Sequence, residues 1–86
     1  PLTLACTSGS PEMVKLLLDA GADPNTMLPG GETALMTASR TGMTGAVQLL
    51  LARGANVHAR EARLGQTAIM WAASEGHAET VEALVK

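Results

Sequence analysis

The side chains that most often do chemistry in proteins are few in this chain and lie far apart in its sequence. Cys6 is the single cysteine, and His58 and His77 are the only histidines. No pair among them has the spacing of a zinc site, and Cys6 has no histidine nearby to act as the base that activates a thiol. We therefore expect no catalytic residue, no metal site and no cofactor, and we predict that the chain is not an enzyme.

Two further groups of residues would do chemistry in another setting. Glu75, Glu79 and Glu82 have in part the spacing of one helix face, and exposure to solvent accounts for them. Gly30 and Gly31 follow no strand of a βαβ unit, and the remaining glycine and the lysine of a phosphate-binding loop are absent. The sequence thus predicts neither an acidic active site nor a nucleotide site.

Composition narrows the class of protein further. Hydrophobic residues make up 47% of the 86 residues, while Trp71 is the only aromatic residue. A core of leucine, alanine, valine and methionine favours thin, regular helix pairs. The net charge of −2 gives no long-range attraction to nucleic acid or to an acidic membrane. A single cysteine excludes an intrachain disulfide.

Signals for a membrane or a secretory route are absent from the sequence. No run reaches the roughly 18 consecutive apolar residues of a membrane span, and no signal peptide is visible. The chain begins with Pro1 and not with methionine, so we expect its natural start to lie upstream. By default these observations indicate a cytoplasmic protein that binds neither membrane nor nucleic acid.

The elements that position these residues come from one segment that occurs three times. Gly9 and Gly42 are 33 residues apart, and Gly42 and Gly76 are 34 apart. A fixed period of this length indicates an array of stacked repeats. The first two copies share further identical residues in this register, which are the pairs Leu2/Leu35, Ala5/Ala38, Val14/Val47, Leu16/Leu49, Leu17/Leu50, Leu18/Leu51 and Ala22/Ala55.

Local signals predict two helices in each copy. Residues 1–8 form a predicted short helix that Gly9 ends, and Ser10 is placed to cap a second helix whose first residue is Pro11. In the second copy Thr33 caps a predicted helix over 34–41, and the next helix runs from about residue 44 to residue 52. Residues 22–31 have no helical period and are rich in glycine, proline and asparagine, which predicts turns.

This repeat resembles the ankyrin repeat. Its period, the T-x-L-x-x-A opening at 33–38, and the segments G-A-D-P-N (21–25), G-A-N-V-H (54–58) and E-G-H-A-E (75–79) are similar to the family's pattern. The resemblance covers essentially the whole chain and implies an all-α solenoid of stacked antiparallel helix pairs with hairpin-like finger loops. It divides the chain into repeats at 1–30, 31–64 and 65–86. We expect the first to be incomplete at its start and the third at its end.

The chain departs from the ankyrin pattern in three ways. The histidine of the family's T-P-L-H opening is replaced by Met36 in the second unit and by Met70 in the third. Gly45 stands where the other copies have Glu12 and Glu79, and we expect it to cost up to about 1 kcal/mol against alanine. The second finger, at 58–65, is one residue longer than its counterpart at 25–31, which costs little at a loop tip.

Three residues that could be taken for a site have ordinary roles in this repeat. Cys6 aligns with Ser39 and Ala73, so we expect a small buried thiol there. His77 stands at the start of a second helix and is expected to act as a cap. Trp71 stands in a first helix, where the resemblance implies packing between repeats at the border of the concave face; a dedicated binding anchor is the alternative.

The resemblance implies a protein–protein interaction module in which finger tips and the concave face of the first helices bind a partner protein. Positions that differ most between the copies are expected to face that partner. Together with charged and apolar finger residues they give the predicted partner-binding set: Met27, Leu28, Glu32, Arg40, Thr41, Arg60, Arg63, Leu64, Gln66, Trp71, Ser74 and Glu75.

Charge is unevenly distributed along the array. Residues 31–64 carry a net charge of +2 and form a basic band, whereas residues 1–30 and residues 65–86 carry −2 each. Arg40, Arg60 and Arg63 fall on the side where the ankyrin family binds partners, which favours an acidic stretch of a partner crossing this band. The alternative is that these arginines form weak surface ion pairs with Glu32, Glu61 and Glu75.

Two other interpretations stay open. The repeats could be an intramolecular regulatory segment of a larger enzyme or membrane protein, with any catalysis outside this chain. The array could also associate with itself through open ends, because neither terminal unit has the polar outer face that normally closes such a stack. In every case Leu50, in the middle unit, is expected to be among the most costly core positions to truncate.

Overall fold

The structure is a computed structural model and describes Cys6 and residues 11–85. Within that part of the chain the regular elements are five helices: α1 (Pro11–Asp19), α2 (Ala34–Thr41), α3 (Thr44–Ala52), α4 (Ala68–Ser74) and α5 (Ala78–Val85). The same residues form no strand, only an isolated antiparallel bridge between Met27 and Thr33. The all-α prediction is therefore confirmed. The helix predicted over 1–8 and the cap at Ser10 lie outside the described residues, except for Cys6, which is helical and buried.

Helices α2 and α3 begin and end where the sequence predicts. Thr33 caps α2, because its Oγ1 accepts a hydrogen bond from the backbone N–H of Met36 at 3.2 Å. In return the Thr33 N–H donates to the sulfur of Met36 at 3.5 Å, so the methionine that replaces the family's histidine completes the cap. Met43 precedes α3 and provides no side-chain cap.

The five helices form two packed layers. Helices α2 and α4 contact each other, as do α1 and α3, and then α3 and α5. Each complete pair also packs together, α2 on α3 and α4 on α5. The first helices of the units therefore form one layer and the second helices form the other, as the predicted stack of antiparallel pairs requires.

The core lies between these layers and consists of small and aliphatic side chains. Leu50 is 0% exposed, as the sequence predicts for the middle unit. By contrast, Leu16 on α1 and Val85 on α5 are 63% and 67% exposed, so the outer helices of the described stack keep apolar surface in solvent. The other largest side chains that are fully buried are Leu35, Met36, Val14 and Val47.

Hydrogen bonds join neighbouring units at specific points. The side-chain amide of Asn25 donates to the Gly54 carbonyl at 3.1 Å, and its oxygen accepts from the Asn56 N–H at 2.7 Å. One side chain thus satisfies a donor and an acceptor of the next unit. On the second-helix layer, the hydroxyls of Thr44 and Thr80 lie 2.8 Å apart, and Thr80 is buried. These bonds fix the register of the stack.

Two glycines allow close approach between units. Gly42 has a φ of 76°, and a Cβ placed there would lie 2.8 Å from the ring of His77. A Cβ on Gly45 would lie 3.1 Å from Cγ of Pro11 on α1. The absence of a side chain at Gly45 therefore has a packing reason that the sequence comparison with Glu12 and Glu79 did not reveal.

Helices long and apolar enough to cross a membrane do not occur among the residues that the structure describes.

Candidate partner-binding surface

The tip of the first finger, residues 27–33, is a tight hairpin. The Leu28 N–H donates to the Glu32 carbonyl at 2.8 Å, and the Gly31 N–H donates back to the Leu28 carbonyl at 2.9 Å. Gly30, with a φ of 95°, supplies the left-handed conformation inside this turn. Met27 and Leu28 remain exposed, at 62% and 42%. The hairpin therefore presents two apolar side chains on a rigid backbone.

The tip of the second finger, residues 60–66, is organised around the carboxylate of Glu61. This side chain is buried and accepts hydrogen bonds from the backbone N–H groups of Arg63 at 2.8 Å, Leu64 at 2.8 Å and Gln66 at 3.1 Å. These bonds, with that from Gln66 the largest contribution, lower the pKa of Glu61 from its ordinary value. Arg60 adds a bond from its Nη1 to the Gly65 carbonyl at 3.0 Å.

Sequence reasoning missed this role of Glu61, which it considered only as an ion-pair partner of the arginines. The one signal in the sequence was the extra residue of the second finger. A longer loop has more backbone N–H groups without a partner in a simple hairpin, and a carboxylate within the loop can satisfy several of them.

The two finger tips contact each other and enclose a groove. The Ala62 N–H donates to the Gly30 carbonyl at 2.6 Å, which joins the backbones of the two tips. Beside this contact lies a groove of about 280 Å³ that extends to Trp71 on α4. The lining residues are Pro29, Gly30 and Glu32 from the first finger, Glu61, Arg63, Leu64 and Gln66 from the second, and Trp71.

Trp71 lines this groove and has a charged side chain over its ring. The guanidinium carbon of Arg40 lies 5.7 Å from the centroid of the indole ring, a cation–π distance. Arg40 also pairs with Glu32 at 3.7 Å, and Glu32 accepts a hydrogen bond from the Thr37 hydroxyl. Trp71 is half-buried, in agreement with the predicted packing between units. Its Nε1 is closed to water and donates to no described residue.

Arg63 differs from the other two arginines of the basic band. Arg40 is held by Glu32 and the indole, and Arg60 by a carbonyl of its own finger. The guanidinium of Arg63 makes no hydrogen bond or ion pair with any described residue, although it contributes to the field at Glu61. The expected ion pairs are thus present for Arg40 but not, within the described chain, for Arg60 or Arg63.

Three other predicted residues lie away from the groove. The Thr41 hydroxyl lies 3.0 Å from the Cys6 carbonyl and so joins α2 to the preceding unit. Ser74 and Glu75 are exposed at the end of α4. Of the twelve predicted residues, the structure gathers five in the groove lining, namely Glu32, Arg63, Leu64, Gln66 and Trp71.

Two residues that the sequence analysis weighed as chemical groups have structural roles. Burial raises the pKa of the Cys6 thiol to about 11, so it stays protonated and unreactive at neutral pH. Nε2 of His77 lies 3.0 Å from the Arg40 carbonyl. His77 directly precedes α5, and its carbonyl accepts the Val81 N–H at 3.0 Å, so it stands at the cap position that the sequence predicts. The described contact of its ring is to the preceding unit.

A larger hollow of about 630 Å³ lies between the second and third units. It is mainly apolar and is lined by side chains such as Leu51, Ile69 and Val85, with the unpartnered Thr67 hydroxyl at its wall. Among the described residues, no group of three or more His, Cys, Asp or Glu side chains could hold a metal ion.

Comparison with known proteins identifies the class that this stack of helix pairs and fingers defines. The family model for ankyrin repeats, in three copies, matches residues 1–86. The chain belongs to the ankyrin repeat family, as its sequence pattern predicted.

Individual relatives are much longer than this chain. The E3 ubiquitin-protein ligase XBAT33 of Arabidopsis thaliana is 43% identical over 81 residues, which cover 94% of this chain and 16% of the relative. The human ankyrin repeat and KH domain-containing protein 1 is 47% identical over 70 residues, which cover 81% of this chain and 3% of the relative. The glycerophosphocholine phosphodiesterase gde1 of Schizosaccharomyces pombe is 38% identical over 86 residues, which cover 99% of this chain and 8% of the relative. The chain thus spans about a sixth or less of the length of these proteins.

Proposed function

We propose that this chain is a protein-interaction module that binds a partner protein with its finger tips and the concave face of its first helices. Ankyrin repeats generally serve as protein-interaction modules, and repeat stacks present an extended surface that suits this use. The observation that carries the proposal is the groove between the tips, which combines a half-buried tryptophan, an uncommitted arginine and exposed Leu64. Tryptophan and arginine are the residue types enriched among interface hot spots.

The partner surface that fits this module is an acidic stretch with apolar side chains beside it. The units on either side of the basic band are acidic, so the band is the position along the array where a negative segment is favoured. Arg63 is exposed and unpaired with described residues, whereas binding at Arg40 would compete with Glu32. We therefore assign the larger electrostatic contribution to Arg63. Met27, Leu28 and Leu64 supply exposed apolar area next to it.

A charge-reversal experiment tests this proposal once a partner has been identified with the full-length protein. Arg63→Glu should slow association by about 2- to 10-fold at low salt and reduce its salt dependence, because steering by the basic band is lost. The melting temperature should hardly change, since the Arg63 side chain is exposed. Lys15→Glu, the same change of charge on exposed α1, is the matched control. Equal association rates for wild type and Arg63→Glu would refute the acidic-segment proposal.

A second candidate is that the repeats bind within their own protein and regulate it. The relatives favour it, because this chain corresponds to 16% of a ubiquitin ligase and 8% of a phosphodiesterase. Their names place enzymatic activity in proteins far larger than the repeat segment. Deleting residues 1–86 from the full-length protein separates the two candidates. Loss of partner binding with unchanged basal activity supports the interaction module, and a changed basal activity supports internal regulation.

A further inference from the structure

We infer that the groove between the finger tips is a seat for one carboxylate side chain, an aspartate or glutamate within an extended segment of the partner. This carboxylate accepts a hydrogen bond from Nε1 of Trp71 and pairs with the guanidinium of Arg63. The inference rests on the proposed interaction function and specifies which type of partner residue the array recognises.

The indole N–H of Trp71 has no hydrogen-bond partner among the described residues. Buried polar groups nearly always have a hydrogen-bond partner, and an exception calls for an explanation. Nε1 of Trp71 donates to no described residue, although Glu32 and Gln66 line the same groove. Glu32 is occupied by Arg40 and Thr37. An acceptor supplied by a partner would satisfy the indole donor.

The charge that the groove leaves without a partner is positive. The two carboxylates that line it are already committed, Glu32 as described and Glu61 to three backbone N–H groups of its own finger. The uncommitted charged group is the guanidinium of Arg63. The guanidinium of Arg63 and the indole N–H of Trp71 are both hydrogen-bond donors, so the ligand must be an acceptor. A negatively charged acceptor forms a stronger hydrogen bond with them than a neutral one does.

The lining and the volume of the groove limit the charge and size of that acceptor. Glu32 and Glu61 remain close enough to line the groove, so a doubly charged phosphate would meet two carboxylates with a single uncommitted cation to compensate. A volume of about 280 Å³ holds a side chain and part of its backbone, not a folded element. A single carboxylate on an extended strand of partner fits both limits.

Nε1 is closed to water in the free chain, so the inference requires the atoms that cover it to move when the partner binds. Leu64 is 70% exposed and Arg63 is exposed as well, and both lie on the second finger. Both side chains can therefore change rotamer with little loss of buried surface. Arg40 covers one face of the ring and keeps the indole in place.

The experiment uses the 86-residue chain and a phage-displayed library of unbiased 12-residue peptides. Trp71 is the only tryptophan, so its ¹H–¹⁵N indole resonance reports directly on Nε1. Selected peptides should share an aspartate or glutamate and should move this resonance downfield. Trp71→Phe keeps an aromatic ring but removes the donor, and it should weaken binding by about 10-fold or more. Arg63→Gln should do the same, and Lys15→Gln should not.

Each alternative outcome has a distinct meaning. Peptides that bind the finger tips without an acidic residue, or with a preference for phosphoserine, overturn the inference and leave the proposed interaction function standing. Peptides whose resonance shifts fall on α1, α3 and α5 contradict both. A library that yields no peptide able to shift the indole resonance also overturns the inference. If Trp71→Phe lowers the melting temperature, the exposed substitution Arg63→Gln and the aspartate-to-asparagine form of the peptide decide the result.

Discussion

Truncation of Leu50 to alanine tests the packing of the middle unit, and Leu16→Ala is its matched control. The two leucines lie on equivalent second helices, but Leu50 is 0% exposed and Leu16 is 63% exposed. A leucine-to-alanine change in a packed core costs about 2–5 kcal/mol. Complete burial of a leucine side chain contributes about 1.5–3 kcal/mol to the free energy of unfolding. Because only about a third of Leu16 is buried, Leu16→Ala should lower that free energy by about 0.5–1 kcal/mol.

These losses matter because the array is small. Domains are stable by about 0.05–0.15 kcal/mol per residue, which gives about 4–13 kcal/mol for a chain of this length. Leu50→Ala should therefore remove a large share of the free energy of unfolding, or all of it. Urea denaturation followed by circular dichroism at the helix band measures both variants. Truncation of a core leucine predicts a loss of about 2–5 kcal/mol for Leu50→Ala. A loss below about 1 kcal/mol, well under that core range, or an equal loss for both variants would show that Leu50 is not packed in the core as described.

Three further predictions address the second finger, the joints between units and the exposed apolar surface. Because the pKa of Glu61 is lowered in the folded state, its carboxylate stabilises the chain fully above about pH 4.3, and this stabilisation is lost as the pH falls through the lowered pKa. Glu61→Gln should therefore flatten the acid dependence of stability in urea melts. It should also speed amide exchange in the second finger tip. Gly42→Ala should lower the free energy of unfolding by about 1–3 kcal/mol through left-handed backbone strain, and its Cβ would also clash with the His77 ring. Gly54→Ala should introduce only the strain, since nothing lies within 4 Å of a Cβ at that position. Thermal melts compare the two variants. If the exposed apolar surface of α5 drives self-association, Val85→Glu should lower the weight-average mass in sedimentation velocity, and an unchanged mass would count against that surface.

The helical framework could be predicted because its signals are local or periodic. Thr33 and Gly42 mark the two ends of α2, and the 33-residue register places equivalent residues in each unit. Burial of Cys6 and Leu50 followed from the same register. Such features depend on the backbone conformation of a few neighbouring residues or on repetition, and both are visible in a sequence.

The contacts of individual polar side chains could not be predicted in the same way. Glu61 turned inward to its own loop, Arg40 was held by Glu32 and Trp71, and His77 reached the preceding unit. In each case several partners lie within reach of a long or rotatable side chain. The choice depends on three-dimensional distances of a few ångströms, which the repeat register does not contain.

The proposed binding surface consists of the finger tips and the first helices. The most direct test is a ¹H–¹⁵N footprint of the chain titrated with a partner protein identified with the full-length protein. Resonance shifts should concentrate in residues 27–33 and 60–66, in α2 and α4, and in the indole N–H of Trp71. Shifts confined to α1, α3 and α5, with the finger tips unchanged, would contradict this binding surface.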